Sequence, residues 1–418
     1  MLSGLTVRGR CLLAAGVAAA VCSLVLDERD LLRIAVFVVV LPLLAMGLAR
    51  GARHGVRVRR EVLPGRAPVG GSASVRLLLT GAGRAPVGGL LLEDGVPHAL
   101  GGRTRFRVDR VGRSGATLEY QVSPGLRGIH QIGPLRTRIG DPFGLVEFEH
   151  ELGGRSRLVA VPKVVPLGGL PAGSGLGTGE DGSTRLRAGH GDDDTMVREY
   201  RHGDDIRRVH WKSTAKRDEL MVRVEERPWH GGVTVLLDRR SAAHRGTGSA
   251  ASLEWAVSAA ASICAHLHDQ GQQVRLVTED GETLSGGPGP FDGGRDDAAM
   301  LDALAAVRPS AQRDLVCTQD PGSGQELIAI LGATTPAGVQ ELSRLRPERA
   351  RSLALLLDVR AWAGDPADRS FSPERTREQL RASGWTVVVV DGPRASMAGA
   401  WSRLCRSAAG APGSEAIS

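Results

Sequence analysis

The sequence has few aromatic residues, few lysines and no CxxC motif. Phenylalanine, tryptophan and tyrosine make up 3% of its 418 residues, which argues against a base-stacking nucleic-acid platform or a carbohydrate groove. Only three lysines stand among 53 basic residues, so arginine carries nearly all of the positive charge. Because these arginines are dispersed and interleaved with acids, the net charge of +7 is weak support for an acidic partner, and we expect no nucleic-acid binding.

The five cysteines are scattered along the chain, and none belongs to a CxxC motif. Two of them, Cys11 and Cys22, lie in an apolar stretch near the start. This usage argues against a disulfide framework or a structural zinc site and favours a reducing compartment. Hydrophobic residues (42%) and charged residues (24%) are close to globular averages, so we expect neither a disordered chain nor a polytopic membrane protein.

Two apolar runs open the chain, residues 11–26 and 31–49, joined by a short and mostly acidic turn. The second has 19 residues and one charge, Arg33 near its start, which is long enough to cross a bilayer. A cleaved signal peptide fits the first run but not the second, and a lipoprotein signal at Cys22 has poor residues before the cysteine. A hairpin buried in a soluble core would need an unusually apolar core. The sequence therefore predicts two transmembrane helices within residues 1–50.

The placement of arginine predicts the orientation of this hairpin. Arg8 and Arg10 precede the first run, and further arginines follow the second run within residues 50–60. The turn between the runs carries three acids and one arginine. By the positive-inside rule, both termini are expected in the cytoplasm, which makes the chain a two-span protein of the cell membrane.

Residues 56–166 have the pattern of a small antiparallel β-sandwich. Short strand-like runs are separated by glycine and proline clusters at roughly ten-residue spacing. Residues 125–135 are expected to form a hairpin that feeds a strand. In the turn that follows, we expect the Asp141 side chain to cap the backbone and Phe143 to fill the core.

Residues 191–230 contain the densest set of charged and polar side chains. They follow a glycine-rich linker, residues 167–190, which lacks both the Lys-Ser/Thr ending and the strand–helix setting of a phosphate loop. Basic and acidic residues alternate within the segment, which favours an ion-pair network around a half-buried Trp211 over a nucleic-acid surface.

A metal-assisted hydrolase is the alternative interpretation of this segment. It would use His210, Asp204 and Asp205, although their spacing matches none of the standard helical ligand sets and no nucleophile elbow is present. We favour the ion-pair network, and we assign no catalytic residue and no cofactor.

The same segment resembles the signature of the family named domain of unknown function 58 (DUF58). That signature combines a REY-x-x-GDD-x-R-x-IHW core with a basic element that follows it. The corresponding residues here are Arg198, Tyr200, Gly203, Asp204, Asp205, Arg207, His210, Trp211, Lys216 and Arg217. Gly133-Pro134, residues 141–145 and the paired N-terminal spans are also similar to this family, so the resemblance covers most of the chain.

Strand and helix patterns alternate through residues 231–407. The predicted elements are strands at 233–238, 274–278, 327–331, 353–358 and 386–391, and helices at 249–270, 296–307, 336–345, 373–382 and 395–406. This alternation is typical of a doubly wound, mainly parallel sheet. Residues 408–418 are expected to be a disordered tail.

Asp238 and Asp358 follow predicted strands, at the edge where doubly wound sheets bind ligands. The arrangement resembles the von Willebrand factor A type, which coordinates a divalent ion through an Asp-x-Ser-x-Ser loop. Here Arg240 and Ala242 take the two hydroxyl positions, and an arginine there would repel a cation. The two aspartates are therefore weak metal candidates, and a von Willebrand factor A-like fold without its ion site is expected.

Taken together, these features predict a multidomain α+β protein that is membrane-anchored and non-catalytic, with a role in interaction or assembly. The family resemblance implies two partners, a MoxR-type AAA+ ATPase and a transglutaminase-like membrane protein. The signature residues would then form a docking or interdomain surface.

Overall fold

The computed structural model describes residues 4–52, 56–81, 90–102, 104–108, 115–141, 143–171, 197–199, 221–223, 232–285, 293–317, 326–346, 351–363 and 371–409. The chain divides into two compact units. The first comprises Met1–Val164 with Leu301–Val307, and the second comprises Val165–Met300 with Arg308–Ser418.

Two long apolar helices begin the first unit, α1 (Val7–Leu26) and α2 (Arg29–Ala52). The hydroxyl of Thr6 caps α1 by accepting a hydrogen bond from the backbone N of Gly9. The two-residue connection makes the helices antiparallel neighbours, and a Cβ at Gly16 would come within 2.8 Å of Val39. Segments of 20 and 19 residues have mean hydropathies of 2.0 and 2.1, so both helices are long and apolar enough to cross a membrane.

Ten strands follow in the described part of the first unit: β1 (Val56–Leu63), β2 (Arg66–Pro68), β3 (Ala73–Gly81), β4 (Leu90–Asp94), β5 (Thr104–Val108), β6 (Ala116–Val122), β7 (Gly128–Ile132), β8 (Leu135–Gly140), β9 (Glu147–Leu152) and β10 (Ser156–Val161). They form three sheets. Two are antiparallel, with orders β1-β3-β6 and β5-β4-β8-β9. The third has the order β2-β10-β7, with β2 parallel and β7 antiparallel to β10.

The core of these sheets follows from the alternation along β3, where every second residue is buried. Leu77 and Leu79 pack in one cluster with residues of the four-stranded sheet. Ala73 and Val75, on the same face, pack in a second cluster with residues of the β2-β10-β7 sheet. One face of the β1-β3-β6 sheet therefore packs against both other sheets, which is a sandwich-like arrangement.

The chain changes sheets between β7 and β8, so the hairpin predicted for residues 125–135 is wrong. β7 pairs with β10, whereas β8 pairs with β4 and β9. The crossing runs through Gly133, which has a φ of 103° and precedes a cis proline. A Cβ at Gly133 would lie 2.5 Å from Nη1 of Arg60, so glycine leaves room for that guanidinium.

A buried ion pair lies next to this crossing. Nη2 of Arg60 donates to Oδ1 of Asp94 at 2.6 Å, and the Tyr120 hydroxyl donates to Oδ2 at 2.5 Å. Burial raises the pKa of Tyr120, and the hydrogen bond to Asp94 raises it further. These polar groups satisfy one another inside the unit.

The turn between β8 and β9 confirms one expectation and overturns another. The Asp141 carboxylate accepts hydrogen bonds from the backbone N of Phe143 at 2.9 Å and of Val146 at 2.6 Å, so it caps the turn as predicted. The prediction that Phe143 fills the core is wrong, since it is 64% exposed. Leu145 and Val146 are buried instead, because they pack against the ends of the two helices.

The second unit contains a two-stranded antiparallel ribbon and one large sheet. The ribbon pairs β11 (Val197–Glu199) with β12 (Met221–Arg223). The strands of the large sheet are β13 (Gly232–Leu237), β14 (Gln273–Thr278), β15 (Thr283–Ser285), β16 (Glu326–Leu331), β17 (Ser352–Leu357) and β18 (Thr386–Val390). The later helices of the chain are α3 (Ser252–Asp269), α4 (Gly293–Ala306), α5 (Pro336–Arg344), α6 (Arg360–Ala363), α7 (Pro373–Ala382) and α8 (Met397–Ala409).

The large sheet has the order β15-β14-β13-β16-β17-β18, and all of its strands are parallel except β15. The central strands β13, β16 and β17 are buried along their whole length, which explains their mostly apolar sequences. The predicted strands and helices of this region are confirmed within a few residues. β15 and the short α6 were not predicted, and α8 continues to Ala409, into the expected tail.

Candidate functional site

The carboxyl edge of the large sheet carries the two aspartates singled out in the sequence. Asp238 directly follows β13, and Asp358 directly follows β17. Both strands are entirely apolar apart from Thr234 and Ser352, so each aspartate is the first charged residue after the chain leaves the core. In parallel sheets this edge is the usual location of ligand and active sites.

The Asp238 carboxylate is bound by the guanidinium of Arg240. Nε of Arg240 donates to Oδ1 at 2.9 Å and Nη2 donates to Oδ2 at 2.7 Å, which is a bidentate pair. The backbone N of Arg240 also donates to Oδ1, at 3.1 Å. With side chains 0% and 1% exposed, Asp238 and Arg240 form a fully buried ion pair.

Arg240 also hydrogen-bonds to two other loops, one that follows α4 and one that follows β16. Its Nη1 donates to the carbonyl of Arg313 at 3.0 Å, and its Nη2 donates to that of Ala333 at 3.2 Å. Burial alone would lower the pKa of Arg240, but the hydrogen bonds and charge of Asp238 outweigh it and the pKa is raised. Arg240 therefore remains a cation inside the edge of the sheet.

His244 supports the backbone of Asp238. Its Nε2 lies 2.7 Å from the carbonyl of Asp238, and its Nδ1 lies 3.0 Å from the Ser252 hydroxyl. Since a carbonyl only accepts, Nε2 carries the proton and Nδ1 accepts from Ser252. Burial lowers the pKa of His244, so the ring is a neutral structural link.

The neighbouring Arg239 turns toward different carboxylates. Its backbone N donates to Oε2 of Glu279 at 3.1 Å, and its Nη2 donates to Asp280 at 2.9 Å and to Glu282 at 3.0 Å. Glu279 is fully buried, and burial raises its pKa. Two consecutive arginines thus neutralise two separate groups of acids.

The second aspartate repeats the first arrangement. Nε and Nη2 of Arg360 donate to Oδ1 and Oδ2 of Asp358 at 2.8 and 2.9 Å, and the spacing is again Asp-x-Arg. The hydrogen bond to Asp358 raises the pKa of Arg360, and Glu374 lies 3.3 Å away on its other side. β16 lies between β13 and β17, so the two aspartates are about 10 Å apart by strand spacing and each has its own arginine.

This donor set does not fit a divalent ion. Both oxygens of Asp238 accept hydrogen bonds from Arg240, and at the second hydroxyl position of the loop Ala242 supplies no side-chain oxygen. The described residues contain no group of three or more His, Cys, Asp or Glu side chains that could hold a metal. The positive charge next to Asp238 is the guanidinium of Arg240.

The structure describes little of the signature segment. Arg198 lies in β11, opposite Val222 of β12, so backbone pairing brings the two ends of the segment together. The other nine residues, Tyr200, Gly203, Asp204, Asp205, Arg207, His210, Trp211, Lys216 and Arg217, lie outside the described residues, as does the hydrolase cluster.

Two solved structures show low similarity to this chain. The Pseudomonas fluorescens alkylpurine DNA glycosylase AlkC bound to DNA containing an abasic site analog has 16% identity over 30% of this chain and 39% of its own, with a TM-score of 0.16. Cwp6 from Clostridium difficile has 8% identity over 80% of this chain and 37% of its own, with a TM-score of 0.17. This chain thus spans about two fifths of either protein, and neither likeness bears on fold or function.

Comparison with the curated proteins finds no match. Residues 196–321 match a family model described as "Protein of unknown function DUF58". The matched region contains the signature residues between 198 and 217, and it also contains Asp238 and Arg240. This match supports the resemblance to the DUF58 family that the signature residues indicate.

Proposed function

We propose that this protein is a membrane-anchored, non-catalytic interaction protein that acts in complex assembly with a MoxR-type AAA+ ATPase. The observation that carries the proposal is the buried Asp238–Arg240 ion pair. It fills the sheet edge at which folds of this kind bind ions and small ligands with a guanidinium of the chain itself. The function then rests on surfaces that contact other macromolecules.

A von Willebrand factor A-like fold for the second unit is part of this proposal. Numbered from β13, the strand order of the large sheet is 3-2-1-4-5-6, as in doubly wound folds. Asp238 follows the first strand, where the ion-binding loop of such a domain begins. An internal guanidinium at this position supports an adhesion-like domain that does not depend on a bound ion.

Membrane anchoring is supported by the two N-terminal helices. Most of their side chains are exposed, including large apolar ones such as Leu24 (75%) and Phe37. Many exposed apolar side chains on two neighbouring helices are unfavourable in water and become favourable when lipid covers them. The arginines that flank the hairpin favour a cytoplasmic location for both termini.

The two proposed partners are those that the DUF58 resemblance implies. Calorimetry tests the binding of the ATPase. The full chain in lipid nanodiscs is titrated with the MoxR-type ATPase of the same source at low salt, with and without a non-hydrolysable ATP analogue. We expect saturable binding that weakens with added salt, since charged signature residues would form the contact. A transglutaminase-like membrane protein is expected in the same assembly.

The matched control is the double variant Asp204→Ala/Arg207→Ala. If the signature docks the ATPase, this variant keeps the thermal midpoint of the parent chain and loses binding. If the parent chain does not bind under any of these conditions, the proposed partnership is wrong.

A further inference from the structure

We propose that the turn formed by Asp141 and residues 143–146 contacts the membrane surface and inserts Phe143 into the lipid headgroup region. This turn, here named the interface turn, would hold the β-sheets of the first unit against the bilayer. The inference rests on the proposed membrane anchoring and adds a second, peripheral lipid contact to it.

Hydrogen bonds join the interface turn to the residues directly before α1. The backbone N of Thr6 donates to the carbonyl of Leu145 at 2.9 Å, and the Thr6 hydroxyl donates to that of Gly144 at 2.7 Å. The backbone N of Glu147 donates to Gly4 at 2.8 Å. A Cβ at Gly9 would lie 2.2 Å from the carbonyl of Leu145, so the turn and the helix are in direct contact.

The other helix meets the turn at the same level. Ala45 and Met46, near the end of the apolar part of α2, pack in one buried cluster with Leu5, Leu145 and Val146. The interface turn therefore contacts the start of α1 and the end of α2. Because the helices are antiparallel, both lie at the same end of the hairpin, opposite the turn that connects the helices.

Helix length locates this end relative to a bilayer. α1 has 20 residues, which at about 1.5 Å per residue spans about 30 Å, the thickness of the hydrocarbon core. If α1 crosses the bilayer, Val7 lies at one boundary and Leu26 at the other. Gly144 and Leu145, which bond to Thr6, then lie at the headgroup level.

The side chains at this level suit a lipid interface. Asp141 holds the turn through two backbone hydrogen bonds, and the turn presents Phe143 outward. Arg8 and Arg10 are exposed, and Nη1 of Arg8 lies 4.0 Å from where a Cβ of Gly144 would stand. Interfacial segments combine apolar side chains such as Phe, which enter the lipid, with arginines, whose guanidinium groups contact the phosphates.

Quenching by brominated lipids tests the inference. Three single variants of the full chain, Phe143→Trp, Val17→Trp and Ile129→Trp, are placed in nanodiscs whose lipids carry bromine at shallow or deep positions. Val17 is exposed near the middle of α1, and Ile129 is a similarly exposed residue on β7. The parent chain with its six tryptophans gives the background signal.

We expect Phe143→Trp to be quenched above background mainly by the shallow bromines, Val17→Trp mainly by the deep ones, and Ile129→Trp by neither. If Phe143→Trp behaves like Ile129→Trp while Val17→Trp is quenched, the chain is anchored but the interface turn does not touch the bilayer, and the inference is wrong. If Val17→Trp is not quenched either, both the inference and the proposed membrane anchoring are wrong.

Discussion

The second unit contains two Asp-x-Arg ion pairs of the same geometry in different environments. Asp238–Arg240 and Asp358–Arg360 share the spacing, the bidentate geometry and the position after a parallel strand. They differ in exposure: the first pair is fully buried, whereas the side chains of the second are 20% and 22% exposed. A buried charge is strongly destabilising when its partner is removed, but water can replace the partner of an exposed one. The two pairs should therefore have very different effects on stability.

Arg240→Ala should have the largest effect. It leaves the Asp238 carboxylate buried without a cation and removes the hydrogen bonds to the carbonyls of Arg313 and Ala333. We expect a loss of about 3 to 5 kcal/mol in the free energy of unfolding. Urea denaturation followed by tryptophan fluorescence measures it, since Trp255, Trp362, Trp385 and Trp401 belong to this unit.

The double variant Asp238→Ala/Arg240→Ala shows whether the unpaired charge is the cause. It removes both charges, so it should be less destabilised than the sum of the two single variants. Strict additivity would mean that the carboxylate and the guanidinium do not interact, which would contradict the comparison.

Glu326 shows the effect of burial on a carboxyl group that lacks a bidentate arginine. It begins β16 and is buried, and its Oε1 has no hydrogen-bond partner among the described residues. Burial raises its pKa from 4.5 to about 7, while the charge of Arg351 acts in the opposite direction. The folded state thus holds this proton over a pH range in which the unfolded chain has lost it.

Stability should therefore fall as pH rises from 4.5 through 7, by at most about 3 kcal/mol from this group. Glu326→Gln, which is neutral at every pH, should remove this part of the pH dependence and be the more stable form at pH 8. Unfolding curves of both proteins at several pH values test it. Parallel pH profiles would mean that Glu326 is solvated and ionised in the folded protein.

A third prediction concerns the position of the Arg240 guanidinium. If the Arg240 guanidinium stands where a divalent cation would bind, Arg240→Ser/Ala242→Ser rebuilds an Asp-x-Ser-x-Ser loop from Asp238. This variant should gain stability with Mg²⁺, by about 1.4 kcal/mol at ten times the dissociation constant. The parent chain should show no change of the thermal midpoint with Mg²⁺. The idea is wrong if both respond alike.

The sequence predicts most elements of the large sheet and its helices, but it does not predict the Asp238–Arg240 ion pair. The central strands of the sheet are mostly apolar runs, and its helices have clear periodicity, with N-caps such as Thr335 before α5 and Ser372 before α7. The Asp-x-Arg spacing is visible in both loops. The sequence does not show which of the two consecutive arginines turns back to Asp238, because the acids that pair with Arg239 (Glu279, Asp280 and Glu282) follow another strand, β14.

In the first unit, pairing between distant strands limited the prediction. The alternating apolar pattern of β3 is visible in the sequence, whereas the close approach of Arg60 to Gly133 at the sheet change involves residues far apart in sequence. The wrong prediction for Phe143 has a related reason. The sequence of the turn shows several apolar residues, but it does not show that the ends of the two helices cover Leu145 and Val146 rather than Phe143.

Arg360→Ala should have the smallest effect and completes the comparison. Solvent reaches the Asp358 carboxylate, so its charge can be hydrated after the guanidinium is removed. We expect a loss of at most about 1 kcal/mol, measured with the same urea series as Arg240→Ala. The residual loss would come from the contact between Arg360 and Glu374, which joins the start of α6 to the first turn of α7. A loss as large as that of Arg240→Ala would mean that the Asp-x-Arg geometry itself, rather than burial, determines how much such a pair stabilises this sheet.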